Sequence, residues 1–227
     1  MRGLLTIETT PIRIVIADDH AVLRSGLKAL LTFYPDFTVI GEADNGLQAL
    51  QLVEECEPDL LLLDLSMPDM NGVDCINEIR ARGLTCPILV LTMYDEAEYI
   101  KEVMRAGANG YVLKKSADTE LVEAIRKVHS GQKHLSEIVA HTLIDNLLHK
   151  TSDASLPEND PYQLLSVRER EVLRYLAQGY TNSEIARQMS LSPKTVDTYR
   201  SRIMGKLAIH KKSELVNYAI QHKLLPL

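Results

Sequence analysis

The sequence lacks any apolar run that could cross a bilayer, because none approaches the roughly 20 residues that a spanning helix needs. Cysteine is scarce: Cys56, Cys75 and Cys86 are isolated, which excludes paired zinc-binding motifs and argues against a disulfide framework. Residues 1–10 contain one arginine and no apolar segment, so they do not form a secretory signal. We therefore expect a cytoplasmic protein with reduced thiols and no membrane partner.

Charge is divided unevenly along the chain. From Pro161 onward there are 11 lysine and arginine residues against 5 aspartate and glutamate residues, whereas residues 1–160 carry 14 against 26. The length of 227 residues suits two domains of about 100–150 residues each. A basic rear domain is typical of a unit that faces nucleic acid, although basic residues that only solvate a helical surface would give the same charge.

Four short apolar runs, each of strand length, are followed directly by polar side chains. These are residues 12–17 before Asp18 and Asp19, 60–63 before Asp64, 87–91 before Thr92, and 110–113 before Lys114. Bounded apolar runs of this kind predict buried parallel strands, and helix-like stretches separate them. In open α/β sheets the functional groups collect beyond the carboxyl ends of the strands, so we expect these side chains to converge.

Together these residues suit phosphoryl chemistry. Asp18, Asp19 and Asp64 provide hard oxygen ligands for Mg²⁺, which retains waters and also binds phosphate. A carboxylate can accept a phosphoryl group as an aspartyl-phosphate, and Lys114 and Thr92 can bind the phosphate oxygens. Each residue alone has an ordinary explanation, such as a helix cap for the acidic pair or a turn for Asp64. The joint arrangement favours a phosphorylation site.

Residues 12–131 resemble the receiver domains of response regulators, which are doubly wound, flavodoxin-like α/β domains with strand order 2-1-3-4-5. The site residues that this resemblance implies are Asp64 for phosphorylation, Asp18, Asp19, Asp64 and the Ser66 backbone carbonyl for Mg²⁺, and Thr92, Tyr111 and Lys114 for switching. Tyr111 is expected to turn inward when the domain is phosphorylated. Lys115 stands where many relatives have proline, and the sequence leaves the isomer of the bond before it open.

The basic rear region contains helix-capping signals at short intervals. Ser166 with Glu169 and Thr181 with Glu184 form two capping boxes, and Ser192 precedes a proline at a first helical position. These signals predict three helices, and a last helix is predicted from about residue 212 to residue 221. The rear domain is therefore expected to be all-α, with four helices.

The third of these helices has one apolar and one polar face, with Val196, Ile203 and Leu207 packing inward. A polar helix preceded by a short helix and a tight turn is typical of a recognition helix in the major groove, although a merely solvated face is the alternative. The predicted phosphate contacts are Lys194, Arg202 and Lys206, supported by Thr195 and Arg200, and the predicted base contacts are Asp197, Thr198 and Ser201.

Residues 162–227 resemble the LuxR-type helix-turn-helix domain, through LSVREREVL at 165–173, NSEIA at 182–186 and SPKTV at 192–196. Such domains dimerise through the last helix, which implies a dimer contact formed by Leu215, Val216, Tyr218 and Ala219. Two positions depart from the family pattern. Tyr199 replaces the usual histidine and is expected to alter a contact with the DNA backbone, whereas Ala208 replaces a common glycine and is expected to weaken the helix stop.

The predicted organisation has four parts. Residues 1–11 form a loose extension, 12–131 the receiver domain, 132–161 a linker, and 162–227 the helix-turn-helix domain. The linker is expected to contain a helix over 135–148 and a flexible tether over 151–161, where polar residues and prolines accumulate.

Both halves together resemble a two-component response regulator of the NarL/FixJ subfamily. The resemblance implies a sensor histidine kinase that phosphorylates Asp64, double-stranded DNA as the target, and a homodimer when phosphorylated. It implies no enzyme activity beyond slow self-dephosphorylation.

Three alternatives compete with this interpretation. One is a regulator of the same fold that works without phosphorylation. Another is a haloacid-dehalogenase-type phosphatase, which needs a second acid where this chain has Ser66. The third is a quorum-type regulator with a small lipid signal, against which the acidic pair and Asp64 argue.

Overall fold

The structure is a computed structural model that describes residues 10–149, 161–189, 191 and 193–221. The predicted extension at 1–11 lies almost entirely outside the described residues, as do the tether at 151–161 and the Ser192 cap. The described residues form two compact units, one built from residues up to 95 together with 103–140, the other from 96–102 together with residues from 141 onward. None of the helices in these ranges is long and apolar enough to cross a membrane.

The first unit alternates strands and helices along the chain. Its strands are β1 Ile12–Ala17, β2 Phe37–Ala43, β3 Leu60–Leu63, β4 Ile88–Thr92, β5 Gly110–Leu113 and β6 His134–Leu135. Its helices are α1 Ala21–Thr32, α2 Gly46–Cys56, α3 Gly72–Ala81, α4 Ala97–Ala106 and α5 Ala117–His129, and α6 Glu137–His149 follows. The predicted helix in the linker is therefore present as α6.

All six strands lie parallel in one sheet, in the order β2-β1-β3-β4-β5-β6. The predicted doubly wound fold is confirmed, since the first five strands have the expected order 2-1-3-4-5. Strand β6 was not predicted. It pairs with β5, and the first unit extends to residue 140 rather than ending at residue 131.

The core of the first unit explains why its strands are almost wholly apolar. All four residues of β3 are buried, because β3 is a central strand with helices packed on both faces. One face packs against α1 and α5, where Leu27, Leu31, Leu121 and Ile125 are buried with alternate residues of the strands. This packing fixes the strand register, and with it the positions of the residues that follow each strand.

The second unit contains the helices α7 Val167–Ala177, α8 Asn182–Gln188, α9 Pro193–Lys206 and α10 Lys212–Gln221. Both predicted capping boxes form. The hydroxyl of Ser166 accepts from the Glu169 backbone N–H, and the hydroxyl of Thr181 accepts from the Glu184 backbone N–H. Each glutamate carboxylate in return accepts from the backbone N–H of its capping residue. The core is assembled mainly from Val172, Leu173, Leu176, Ile185, Val196, Ile203 and Leu215. The predicted four-helix architecture is thus confirmed.

Helix α9 ends despite the absence of the usual glycine. Ala208 takes a left-handed conformation with φ of 53°, and the Ile209 backbone N–H donates to the Met204 carbonyl at 2.9 Å. Gly179 occupies the corresponding position after α7, with φ of 90°. An alanine in this conformation has a steric cost that glycine does not have, so the end of α9 at Ala208 carries backbone strain.

We expect Ala208→Gly to stabilise the protein by roughly 1 kcal/mol, because glycine adopts the left-handed conformation without Cβ strain. The reverse change, Gly179→Ala, should destabilise it by a similar amount, since open space surrounds that position and only the backbone conformation is affected. Thermal or urea unfolding of the full chain measures both. Equal unfolding free energies for Ala208→Gly and the wild type would contradict the assignment of strain.

Candidate functional site

Two buried carboxylates lie side by side at the carboxyl edge of the sheet. Ala17 of β1 is in register with Leu63 of β3, so the residues that follow, Asp18 and Asp64, emerge together. They are only 2% and 3% exposed. Lys114 follows β5, and its Nζ lies 2.8 Å from an oxygen of each carboxylate. The predicted convergence of these three residues is therefore present in the structure.

Burial sets the electrostatics of this group. It raises the pKa of Asp64 to about 6, although the Lys114 ammonium opposes the rise. Burial alone would lower the pKa of Lys114, but the attraction of Asp64 and Asp18 outweighs it and the pKa is raised. Burial also raises the pKa of Asp19, with the His20 side chain acting against it. The lysine therefore remains charged beside the Asp64 carboxyl, which burial makes costly to ionise.

Backbone groups fix the orientation of both carboxylates. The Leu65 N–H donates to Asp64 Oδ1 at 2.7 Å, and the His20 N–H donates to Asp18 Oδ1 at 2.8 Å. The loop after Asp64 turns back so tightly that a Cβ at Gly72 would lie 2.5 Å from the Asp64 carbonyl oxygen. Glycine is required there, because the start of α3 must pass directly beside the strand end.

The donor atoms at this edge fit a divalent cation. Oxygen atoms of Asp18, Asp19 and Asp64 and a ring nitrogen of His20 all lie within 4.8 Å of one another. Asp19 Oδ1 is buried and accepts no hydrogen bond, which is the state of an oxygen that a cation would satisfy. Three carboxylates suit Mg²⁺. His20 was not among the predicted ligands, although its position next to the acidic pair was a usable signal.

The predicted switch residues line the neighbouring strand ends. Thr92 closes β4 and is fully buried, and its hydroxyl accepts from the Tyr94 backbone N–H at 3.5 Å. Tyr111 in β5 is also fully buried, and its hydroxyl donates to the Tyr94 carbonyl at 2.9 Å. The ring of Tyr111 therefore lies inward in this structure. The Lys114–Lys115 bond is trans.

Tyr94 is a site residue that the sequence reasoning missed. Its hydroxyl lies 2.6 Å from Ser66 Oγ across the loops that follow β3 and β4, in addition to its backbone bonds with Thr92 and Tyr111. No local pattern marks it, because a half-buried loop tyrosine has no helical or strand periodicity. The structure thus connects Ser66, predicted only for its carbonyl, to the switch residues through its side chain.

In the second unit, α9 presents the predicted polar face to solvent. Lys194, Asp197, Thr198, Ser201, Arg202 and Lys206 are exposed, and Thr195 and Arg200 are half-buried. Val196 and Ile203 are buried, as predicted. Tyr199 is also buried, at 5% exposure, and belongs to the helical core, so its predicted effect on a contact with the DNA backbone stays a prediction.

Several of the exposed residues already have partners within the unit. Lys206 Nζ lies 2.7 Å from Glu169 Oε2, and the Glu169 side chain is buried. Asp197 accepts from Asn182 Nδ2 at 3.1 Å and pairs with Arg200 at 2.6 Å. These contacts connect α9 to α7 and α8, so Lys206 and Asp197 have structural roles beside any role in binding DNA.

The predicted dimer contact on α10 requires a correction. Leu215 and Ala219 are 1% and 0% exposed, because they face the core of their own unit. Their side chains are therefore not available to a second copy in this structure. Val216 and Tyr218 are half-buried, and of the four predicted residues they alone keep surface that a partner could contact.

Comparisons with known proteins find a matching family for each of the two units. Residues 14–126 match the response regulator receiver domain, and residues 163–219 match the luxR family of bacterial regulatory proteins. The chain is 41% identical over 214 residues to the oxygen regulatory protein NreC of Staphylococcus carnosus (strain TM300), covering 94% of this chain and 99% of that protein. NreC of Staphylococcus haemolyticus (strain JCSC1435) is 42% identical over 215 residues, with the same coverage.

Solved structures of response regulators are also similar to this chain. RcsB from Salmonella enterica serovar Typhimurium, bound to a promoter in the presence of the phosphomimetic BeF3−, is 28% identical with a TM-score of 0.59, covering 92% of this chain and 98% of that one. A LuxR-family response regulator from Aurantimonas sp. SI85-9A1 is 31% identical with a TM-score of 0.59, covering 61% of this chain and 99% of that one. The chain therefore belongs to the NarL/FixJ subfamily of two-component response regulators, in which phosphorylation of a receiver domain regulates transcription through a LuxR-type helix-turn-helix.

Proposed function

We propose that Asp64 accepts a phosphoryl group from a sensor histidine kinase, in the cytoplasm, and that this modification controls DNA binding by α9. The observation that carries the proposal is the Lys114 ammonium held 2.8 Å from both Asp64 and Asp18. A buried ion group of this kind adds little to stability compared with apolar packing, so its presence at the sheet edge indicates chemistry.

In the proposed transfer, a carboxylate oxygen of Asp64 attacks phosphorus, and the bond between phosphorus and the donor breaks with its electron pair leaving on the donor. Asp18, Asp19, Asp64 and the Ser66 carbonyl would hold Mg²⁺, which when bound neutralises charge on the nucleophile and on the phosphate. Lys114 is placed to exchange its contact with Asp64 for one with a phosphate oxygen. Any return to the free acid is a slow hydrolysis rather than steady turnover of a substrate.

The proposed switch runs through Thr92. Its hydroxyl has only a 3.5 Å contact with the Tyr94 backbone, so a phosphate oxygen on Asp64 offers it a stronger partner. Movement of Thr92 would change the loop that also binds Tyr111 and Ser66. Changing the ratio of two conformations from 1:99 to 99:1 requires a preference of about 5.5 kcal/mol, which several new charge-assisted bonds can supply.

The DNA interface is proposed to be the exposed face of α9. Lys194 and Arg202 are the strongest phosphate contacts because both are exposed and basic, with Thr195 and Arg200 as weaker ones. Thr198 and Ser201 are proposed to reach base edges, as is Asp197 if it leaves Arg200. A phosphorylated homodimer would place two such helices on a two-fold site, with Val216 and Tyr218 near the contact.

We expect Asp64→Asn to abolish the gain in mass that the wild type shows after incubation with acetyl phosphate and Mg²⁺. The matched control is Asp69→Asn, an exposed loop acid with φ of 62°, a conformation that asparagine also tolerates. This control should be phosphorylated normally. Mass spectrometry of the intact protein and of its peptides measures both, and a phosphoryl group on Asp64→Asn protein would refute the assignment.

Loss of phosphorylation in Asp64→Asn should not come from unfolding. The pKa of Asp64 is raised to about 6 in the folded state, so the folded state disfavours the ionised form. The stability contribution of this acid is therefore greatest below its ordinary pKa and decreases as the pH rises through about 6. At neutral pH we expect the unfolding temperature of Asp64→Asn to equal or exceed that of the wild type, as measured by calorimetry.

Lys194 and Lys206 should differ when each is replaced by alanine. Lys194→Ala should weaken binding to a random-sequence duplex and reduce the slope of log affinity against log salt by about 1, without changing the unfolding temperature. Lys206→Ala should also lower stability by about 1–2 kcal/mol, because Glu169 loses its cation. Lys127→Ala in the first unit removes the same charge as a control. An unchanged salt slope for Lys194→Ala would exclude it as a phosphate contact.

A further inference from the structure

His20 approaches the acidic pair in an unusual way. Its Nδ1 lies 2.7 Å from Asp19 Oδ1 and 3.4 Å from Asp18 Oδ1. Yet Asp19 Oδ1 accepts no hydrogen bond, so the contact does not have an N–H directed at the oxygen. The side chain of His20 is 60% exposed, which means that close packing does not force the ring into this position.

The spacing matches two ligands of one ion. Two adjacent ligands, each about 2.1 Å from an octahedral cation, lie about 3 Å apart. The Nδ1 and Oδ1 atoms have nearly that separation, and the four candidate ligand atoms of this cluster are within 4.8 Å of one another. The backbone N–H of His20 donates to Asp18 Oδ1 at 2.8 Å, so the main chain at this position is fixed to the same cluster.

We propose that His20 Nδ1 is a nitrogen ligand of the divalent-cation site and makes that site prefer Mn²⁺, and more strongly Co²⁺ or Ni²⁺, to Mg²⁺. Carboxylates bind Mg²⁺ and Mn²⁺ alike, whereas an imidazole nitrogen adds affinity for first-row transition ions and little for Mg²⁺. The neutral ring would ligate through Nδ1 and keep its proton on Nε2. The inference rests on the proposed function and deepens it, since it concerns the relative affinity of the same site for Mg²⁺ and for transition-metal ions.

The competing explanation is that His20 only orients Asp19. In that case the loss of His20 would lower the affinities for Mg²⁺ and Mn²⁺ by the same factor, because both ions bind the Asp19 carboxylate. A direct nitrogen ligand instead changes the ratio of the two affinities. The two explanations also differ spectroscopically, since only a direct ligand couples the ¹⁴N nucleus to the electron spin of bound Mn²⁺.

The experiment uses the full chain without any phosphodonor. Calorimetric titrations with Mn²⁺, Co²⁺ and Mg²⁺ are compared for the wild type, His20→Gln and the control His129→Gln, an exposed histidine at the end of α5. We expect His20→Gln to lower the ratio of Mn²⁺ to Mg²⁺ affinity on the order of tenfold, with a larger loss for Co²⁺. His129→Gln should bind all three ions as the wild type does.

Electron spin-echo spectroscopy of bound Mn²⁺ is the second measurement. A ¹⁴N coupling in the wild type that disappears in His20→Gln supports the proposal, and its absence from the wild type overturns it even if the variant fails to fold. An equal loss of affinity for all ions in His20→Gln would also overturn it. Phosphorylation of the wild type is measured separately, so a protein with nitrogen-ligated Mn²⁺ but no phosphoryl transfer would contradict only the proposed function.

Discussion

The receiver site depends on one lysine placed between two buried acids. Lys114 bonds both Asp18 and Asp64 at 2.8 Å, and these residues follow three different strands. Two carboxylates this deeply buried would otherwise repel each other in a medium that solvates charge poorly. The strand order brings the three residues together, and the lysine places a positive charge between the two carboxylates. In the proposed function, a phosphoryl group and a cation would therefore take over contacts that charged residues already make at this site.

The second constraint is the loop that contains Tyr94. Through its backbone it binds Thr92 and Tyr111, and through its hydroxyl it contacts Ser66. The loops beyond β3 and β4 are thereby connected to β5, so a change at Asp64 cannot displace Thr92 without disturbing the others. The proposed switch, if it begins at Thr92, would therefore change the hydrogen bonds of Tyr94 and Tyr111 together.

In the helical unit, two of the residues predicted to contact DNA also hold the helices together. The ion pair of Lys206 with Glu169 holds α9 against α7, and the bond of Asp197 with Asn182 holds it against α8. The orientation of the exposed face therefore depends on side chains that also lie on or beside that face. Substitutions at Lys194 and Lys206 are consequently expected to differ in their effect on stability, although both residues are exposed lysines of one helix.

The sequence alone determined β1, β3, β4 and β5, the capping boxes and the residues Asp18, Asp64 and Lys114, because apolar runs, caps and strand ends are local signals. Only the tertiary structure decided the features that arise from contacts between distant segments. Strand β6 exists because β5 offers it an edge, Tyr94 meets Ser66 across two loops, and Leu215 is buried by its neighbouring helices. The approach of His20 to Asp19 is local in sequence, but its distance depends on the loop conformation that the sheet imposes.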